Sequence, residues 1–285
     1  MSKISVTQQL EILDKYINKN YNCGRLSRDY NVTPRAVKLV LLKNNITLRS
    51  QSESQKKFFI HEDYFDKIDT EEKAYFLGFL YADGCNYNKT SMISIGLQEE
   101  DRPILDRFSK LVNSDRPLVF SKSNNPKRKS QYKMTIISEH ISEQLTKLGC
   151  TPKKSLTLTF PNNEQVPCYL IRHFIRGLWD GDGCLSYGFY GKNSKLNCRP
   201  SLVSTVYVCE SIKELLLEEL NINSSIIRPR YSVTNDTTTR QLSINGNIQA
   251  MTLLDWLYQG SKIHLDRKYK NYLNFKNLYL DNINN

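Results

Sequence analysis

The sequence predicts an α+β fold in which a small all-α domain precedes two αββαββα repeats. Three observations carry that prediction. One segment recurs 99 residues downstream. The same alternation of helical and strand-like patterns follows each copy, and the opening ~50 residues carry only short helical patterns. The expected boundaries are 1–50 for the helical domain, 51–70 for a linker, 71–165 for repeat one and 166–285 for repeat two.

In the helical domain, Leu10, Leu13 and Ile17 recur at helical spacing and predict a first helix with those residues inward. Gly24 to Tyr30 predicts a second. Asn31-Val32-Thr33 reads as a tight turn, with Thr33 as the cap and Pro34 opening a third helix, Arg35 to Asn44. Val37, Val40 and Leu41 should face inward, Arg35 and Lys38 outward. A short helix, a brief turn and a basic second helix form a helix-turn-helix layout. Arg35 and Lys38 are its candidate DNA contacts, and Arg25, Arg28 and Lys43 add charge beside them. Residues 48–57 are polar and apolar-poor, as a linker would be.

The duplication is read by aligning Ala74-Tyr75-Phe76-Leu77-Gly78-Phe79-Leu80-Tyr81-Ala82-Asp83-Gly84-Cys85 with His173-Phe174-Ile175-Arg176-Gly177-Leu178-Trp179-Asp180-Gly181-Asp182-Gly183-Cys184. After the first copy come a strand over 92–97, a helix over 103–112, two strands around Asn124-Asn125-Pro126-Lys127, and a helix over 139–148. After the second come a strand pair ending in Leu202 to Val208, a helix over 210–220, strands over 226–233 and 239–244, and a helix over 248–257. Matching order makes chance similarity of the two short segments a poor explanation.

Composition narrows the function. Lys plus Arg number 40 against 29 Asp plus Glu, a net charge of +11. That excess argues against an ordinary neutral metabolic enzyme and favours a polyanionic partner. The seven cysteines are odd in number and form no C-x-x-C pair, the pattern of reduced thiols. No apolar run approaches ~18 residues and no signal peptide opens the chain. The expectation is an intracellular protein of the cytoplasm, nucleoid or an organelle matrix, neither secreted nor membrane-bound. His61, His140, His173 and His264 lack metal-ligand spacing, and no Gly-rich phosphate loop suggests a nucleotide cofactor.

Within the recurring segment, Ala74, Gly78 and Ala82 share one helix face, and Gly177 and Gly181 share the corresponding face. Small residues let two helices approach closely, although Gly inside a helix costs roughly 1 kcal/mol relative to Ala. Gly84 and Gly183 are expected to end their helices in the left-handed conformation. Asp83 and Asp182 then meet at two helix C-termini, where negative charge is unfavourable and two carboxylates repel. A divalent cation such as Mg²⁺ or Mn²⁺ would relieve that conflict, with the carbonyls of Ala82 and Gly181 as further oxygen ligands. On a basic protein, this arrangement points to phosphodiester hydrolysis. A lone Asp-Gly is ordinarily a turn and a lone small-x-x-x-small pattern ordinarily packing. Their joint recurrence is what points to a site.

Phe76 to Gly84 and Ile175 to Gly183 resemble the nine-residue signature of the LAGLIDADG homing endonucleases, in their single-chain, two-motif form. The resemblance implies a pseudo-two-fold monomer whose two four-stranded antiparallel sheets form a saddle over the DNA major groove. It implies metal binding at the eighth motif position, Asp83 and Asp182. At the sixth position Tyr81 departs from the signature acid while Asp180 keeps it, so the half-sites should differ in detail. It also implies a lysine near each acid: Lys154, favoured over Lys153, and Lys268. Such cations would offset charge developing on the phosphate.

Candidate base and phosphate contacts on the repeats are Lys122, Lys127, Arg128, Lys129, Gln131 and Lys133, with Lys192, Lys195, Arg199, Arg228, Arg230 and Arg240. The expected activity is site-specific double-strand DNA cleavage by a monomer. The alternative is a non-cleaving binder on the same scaffold, such as a DNA-binding regulator or a maturase whose partner is intron RNA. The chain begins at Met1 and ends Asn284-Asn285 without splicing blocks, so a free-standing enzyme is expected over an intein-embedded one.

Overall fold

The computed structural model describes residues 4–19, 21–48, 58–125, 129–192, 194–228 and 238–284. They divide into two units: Met1–His61 with Asn113–Arg116, and Glu62–Val112 with Pro117–Asn285.

Among its described residues the first unit contains three α-helices, α1 (Val6–Ile17), α2 (Cys23–Asp29) and α3 (Pro34–Lys43). Each starts at a side-chain cap. Ser5 and Gln8 form a reciprocal capping box on α1, Asn22 caps α2, and Thr33 caps α3 ahead of Pro34. Ile12, Tyr16, Leu26, Val37, Val40 and Leu41 form the core. The inward stripe of α1 thus departs from expectation. Leu10 and Ile17 are exposed, and Leu13 only borders the core. Ile12 and Tyr16, one turn apart, supply an alternative face with the same periodicity and a larger ring to bury. On α3 the expected orientation holds: Arg35 and Lys38 are exposed. Phe59 N donates to Asp115 Oδ1 at 2.6 Å, joining the two stretches of this unit.

The second unit is duplicated. Its first half runs α4 (Glu71–Asp83), β1 (Gly84–Tyr87), β2 (Met92–Gln98), α5 (Arg102–Leu111), β3 (Val119–Ser121), β4 (Gln131–Ile137) and α6 (Glu139–Lys147). Its second half runs α7 (Ile171–Asp182), β5 (Gly183–Tyr190), β6 (Lys195–Thr205), α8 (Val206–Leu220), β7 (Ser224–Ile227), β8 (Thr239–Ile244) and α9 (Asn247–Tyr258), followed by α10 (Asp266–Asn284). Both halves therefore read αββαββα. The sheets have equivalent orders, β1-β2-β4-β3 and β5-β6-β8-β7, with every pairing antiparallel.

Strand alternation gives each sheet an apolar and a polar face. In the first sheet Ile93, Ile95, Leu97, Met134 and Ile136 are buried, while Lys133 and Gln131 alternate with them outward, opposite Gly96 and Gln98. In the second, Leu196, Cys198 and Leu202 are buried, while Lys195, Asn197 and Arg199 face outward opposite Tyr190, Gly188 and Ser186.

One expected strand is a helix. Val206, Tyr207 and Val208 are β-branched or aromatic, yet they open α8. Thr205 Oγ1 accepts from Val208 N and donates to Leu158 O, so a buried cap overrides the local strand propensity. The strand expected over 226–233 ends at Ile227 within the described residues, and 229–237 lie outside them. Among the described residues no helix is long and apolar enough to cross a membrane.

Candidate functional site

The helices α4 and α7 pack through their glycines. A Cβ on Gly78 would lie 1.9 Å from Phe174 O, and one on Gly177 would lie 1.9 Å from Tyr75 O. The contacts are pseudo-symmetric, because Phe174 and Tyr75 occupy equivalent positions in the duplicated segment. Backbone lies directly on backbone, a separation only glycine permits.

Further along both helices Ala82 meets Gly181, whose Cβ would fall 2.2 Å from Ala82 Cβ and 3.3 Å from Asp83 Oδ2. Asp83 and Asp182 are the last residues of α4 and α7. Gly84 and Gly183 do not end the helices in the expected left-handed conformation. Their φ values are −78° and −74°, and the chain passes directly into β1 and β5. Crowding explains glycine there instead, since a Cβ would lie 2.6 Å from Leu80 O or 2.5 Å from Trp179 O.

Asp83 is half-buried and Asp182 is open to solvent on one side. Lost hydration, followed by the nearby Asp83 charge, pushes Asp182 up from 3.8 to about 6. Lost hydration also raises Asp83, against the pull of Lys154, Lys268 and Arg267. The two carboxylates therefore feel each other, and both feel both lysines.

Lys154 follows the left-handed Lys153 in a 3₁₀ turn (Lys154–Leu156), and Lys268 lies in the first turn of α10. Lys153 is exposed, whereas Lys154 is buried and donates to Ala82 O at 3.3 Å. Lys268 Nζ donates to Trp179 O at 3.4 Å and also to Gly183 O. Each ammonium thus lies at the end of its own motif helix, hydrogen-bonded to backbone carbonyls. Burial lowers the Lys268 pKa, with Arg267 adding to the effect.

The donor set fits a hard divalent ion: two facing carboxylates and nearby backbone carbonyls, all oxygen. Of the two expected carbonyl ligands, Ala82 O already accepts from Lys154.

Sequence reasoning missed the polar network beneath this site. Arg176 and Asp180 are fully buried. Asp180 accepts from Tyr75 Oη at 2.8 Å, Tyr258 Oη at 2.6 Å and Leu265 N at 2.7 Å. Arg176 pairs with Glu71 at 2.7 Å and donates to Leu257 O and Ile263 O. His173 Nδ1 lies 2.8 Å from Arg176, and burial lowers its pKa to about 4. Arg267, beside Lys268, pairs across the halves with buried Asp101 at 2.9 Å. The one local signal was Arg176 and Asp180, four residues apart among the apolar Phe174, Ile175, Leu178 and Trp179 of α7.

The candidate DNA contacts are scattered. Gln131, Lys133, Lys195 and Arg199 lie on the polar sheet faces; Lys122 and Lys129 flank β3 and β4, and Lys129 pairs with Glu100 at 2.7 Å. Lys192 lies in the exposed turn between β5 and β6, and Arg228 just beyond β7. Arg240 is half-buried on β8, where it shares strand parity with buried Leu242 and Ile244, and its guanidinium donates to Thr239 O. Lys127, Arg128 and Arg230 lie outside the described residues.

Residues 170–255 match the family model for the LAGLIDADG-like domain. The fold matches a structure of I-SmaMI bound to uncleaved DNA target in the presence of calcium ions, with a TM-score of 0.51 and 13% sequence identity over 76% of this chain and 92% of that one. A double mutant of I-SmaMI matches with a TM-score of 0.50 and 12% identity over 74% and 91%. No curated protein matches the sequence.

Proposed function

We propose that this chain, which carries a LAGLIDADG-like domain in residues 170–255 of a duplicated LAGLIDADG fold, is a site-specific double-strand DNA endonuclease. The observation that carries this reading is the meeting of Asp83 and Asp182 at two abutting helix ends, with Lys154 and Lys268 beside them. A net charge of +11 and the polar sheet faces bearing Gln131, Lys133, Lys195 and Arg199 suit a duplex partner. The similar I-SmaMI is described bound to a DNA target. One chain contains both halves of the site, so it acts as a monomer.

In this mechanism Asp83 and Asp182 would hold a divalent cation, Mg²⁺ or Mn²⁺, with the carbonyls of Ala82 and Gly181 as candidate further oxygen ligands. When bound, such an ion supplies Lewis-acid polarisation of the scissile phosphate and acidifies the attacking water. Lys154 and Lys268 offset negative charge as each phosphate passes through its transition state. The packed glycines fix the separation of the two carboxylates, and hence of the two bonds they address. Arg35 and Lys38 on α3 extend the grip along the backbone of the target.

Selection of cleaved duplexes from a randomised library, with Mg²⁺ or with chelator, tests the proposal. Recovery of one cut sequence in the Mg²⁺ arm alone is expected. No cleavage by the intact chain in Mg²⁺ or Mn²⁺, or undiminished cleavage by Asp83→Asn, would refute it.

A further inference from the structure

We propose that the sixth residue of each motif, Tyr81 in the first and Asp180 in the second, is a positioning residue for the lysine of its own half. Tyr81 acts through Lys154, and Asp180 through Lys268. The inference rests on the nuclease reading above and assigns a role that reading leaves open.

Tyr81 and Asp180 occupy equivalent positions in the duplicated segment, and both are buried. Their chemistry differs, and so does what each must hold. Tyr81 Oη donates to Leu148 O at 2.6 Å, at the C-terminal end of α6. That carbonyl belongs to the unsatisfied last turn of a helix and needs a donor. The next residue, Gly149, has φ +92°, and a Cβ on it would lie 2.0 Å from Tyr81 Oη. The tyrosine tip therefore sits directly on the bend that leads into Lys154. Asn86 holds the following carbonyl, Cys150 O, at 3.1 Å, four residues before the lysine.

In the second half the tethered group is an N–H. Leu265 immediately precedes α10, and its amide donates to Asp180 Oδ2 at 2.7 Å. Leu265 O in turn accepts from Lys268 N at 2.9 Å and Tyr269 N at 3.0 Å. Asp180 thus grips the residue whose carbonyl starts the helical turn bearing Lys268. Tyr75 and Tyr258 satisfy the remaining acceptor capacity of this carboxylate, without which its burial would be costly.

A donor is needed at the carbonyl end of α6 and an acceptor at the amide entering α10. The departure of Tyr81 from the signature acid follows from that polarity. Each tether also lies within its own half, so loss of one should misplace a single ammonium and leave the other in register.

The test uses the full chain and the duplex recovered by cleavage selection, with each strand carrying a different label. Single-turnover nicking of both strands in Mg²⁺ is measured for wild type, Tyr81→Phe and Asp180→Asn. Lys154→Met and Lys268→Met assign each lysine to a strand. Tyr81→Phe should slow the strand assigned to Lys154 by about 10- to 100-fold and leave the other strand within about twofold of wild type. Asp180→Asn should show the opposite bias. General destabilisation would slow both strands together, so equal slowing, no slowing or an exchanged bias overturns the proposal. If Asp180→Asn does not fold, Tyr81→Phe, which deletes only a hydroxyl, decides the matter alone. Absence of cutting by wild type would mark failure of the nuclease reading itself, whereas normal wild-type cutting with unbiased variants rejects only the tether.

Discussion

Gly78 lies so close to Phe174 that a methyl group on its α-carbon would sit 1.9 Å from the Phe174 carbonyl oxygen. The obstacle is main chain on a neighbouring helix, so no rotamer change relieves it. Gly78→Ala and Gly177→Ala should each destabilise the protein by about 2–3 kcal/mol or more, despite the ~1 kcal/mol that alanine gains in helix propensity. Urea denaturation of the two variants checks this. Stabilisation by either one would mean that the helices do not meet as described.

Asp83→Asn and Asp182→Asn should each reduce cleavage by more than ~100-fold while leaving duplex affinity within a few-fold. Without divalent metal, the same variants should melt at or above the wild-type temperature, because each removes one of two repelling carboxylates. Paired nicking, gel-shift and melting measurements separate these effects. A variant that neither binds nor folds contradicts the prediction.

Asp182 gives a pH dependence with a defined sign. Its folded pKa, about 6, lies above the ordinary 3.8. The fold therefore favours the protonated form, and the associated stability is present below pH ~4 and lost as pH rises through ~6. Metal-free protein should lose melting temperature over that interval, and millimolar Mg²⁺ should restore it most strongly on the alkaline side. Asp182→Asn should flatten the curve. Melting curves from pH 4.5 to 8 with and without Mg²⁺ supply the readout; a metal effect that is larger at the acid end has the wrong sign.

Thr205 is the cap that turns a strand-prone triplet into the start of α8. Thr205→Ala removes its bonds to Val208 N and Leu158 O and should cost about 1–2 kcal/mol. Chemical denaturation measures the loss, and Thr205→Ser should recover most of it.

Deleting residues 1–48 should weaken target affinity more than it slows cleavage at saturating enzyme. The exposed Arg35 and Lys38 of α3 would leave with that segment. Unchanged affinity would make the helical unit structural.

Much of the candidate site was legible because duplication placed the same uncommon features at one offset. Gly78 with Gly177, and Asp83 with Asp182, stand out only when the two segments are aligned. Elsewhere the local text was ambiguous. Leu10, Leu13 and Ile17 fit a helical stripe as well as Ile12 and Tyr16 do, and only the partner helices select the second. Val206 to Val208 favour a strand in isolation, but a cap and a buried acceptor at Leu158 outweigh that preference. The Arg176 and Asp180 network was beyond local reasoning. Its partners at Glu71, Tyr75, Tyr258 and Leu265 are remote in sequence, and a lone charged residue on a helix ordinarily faces water.

The bare crossing of Gly78 and Gly177 acts as a ruler made of peptide alone. Because neither glycine has a side-chain torsion to adjust, on the proposed nuclease reading changes in the outward residues of either sheet would alter which nucleotides are gripped while the interval between the two incisions stays constant. Choice of target and length of overhang would then rest on different atoms.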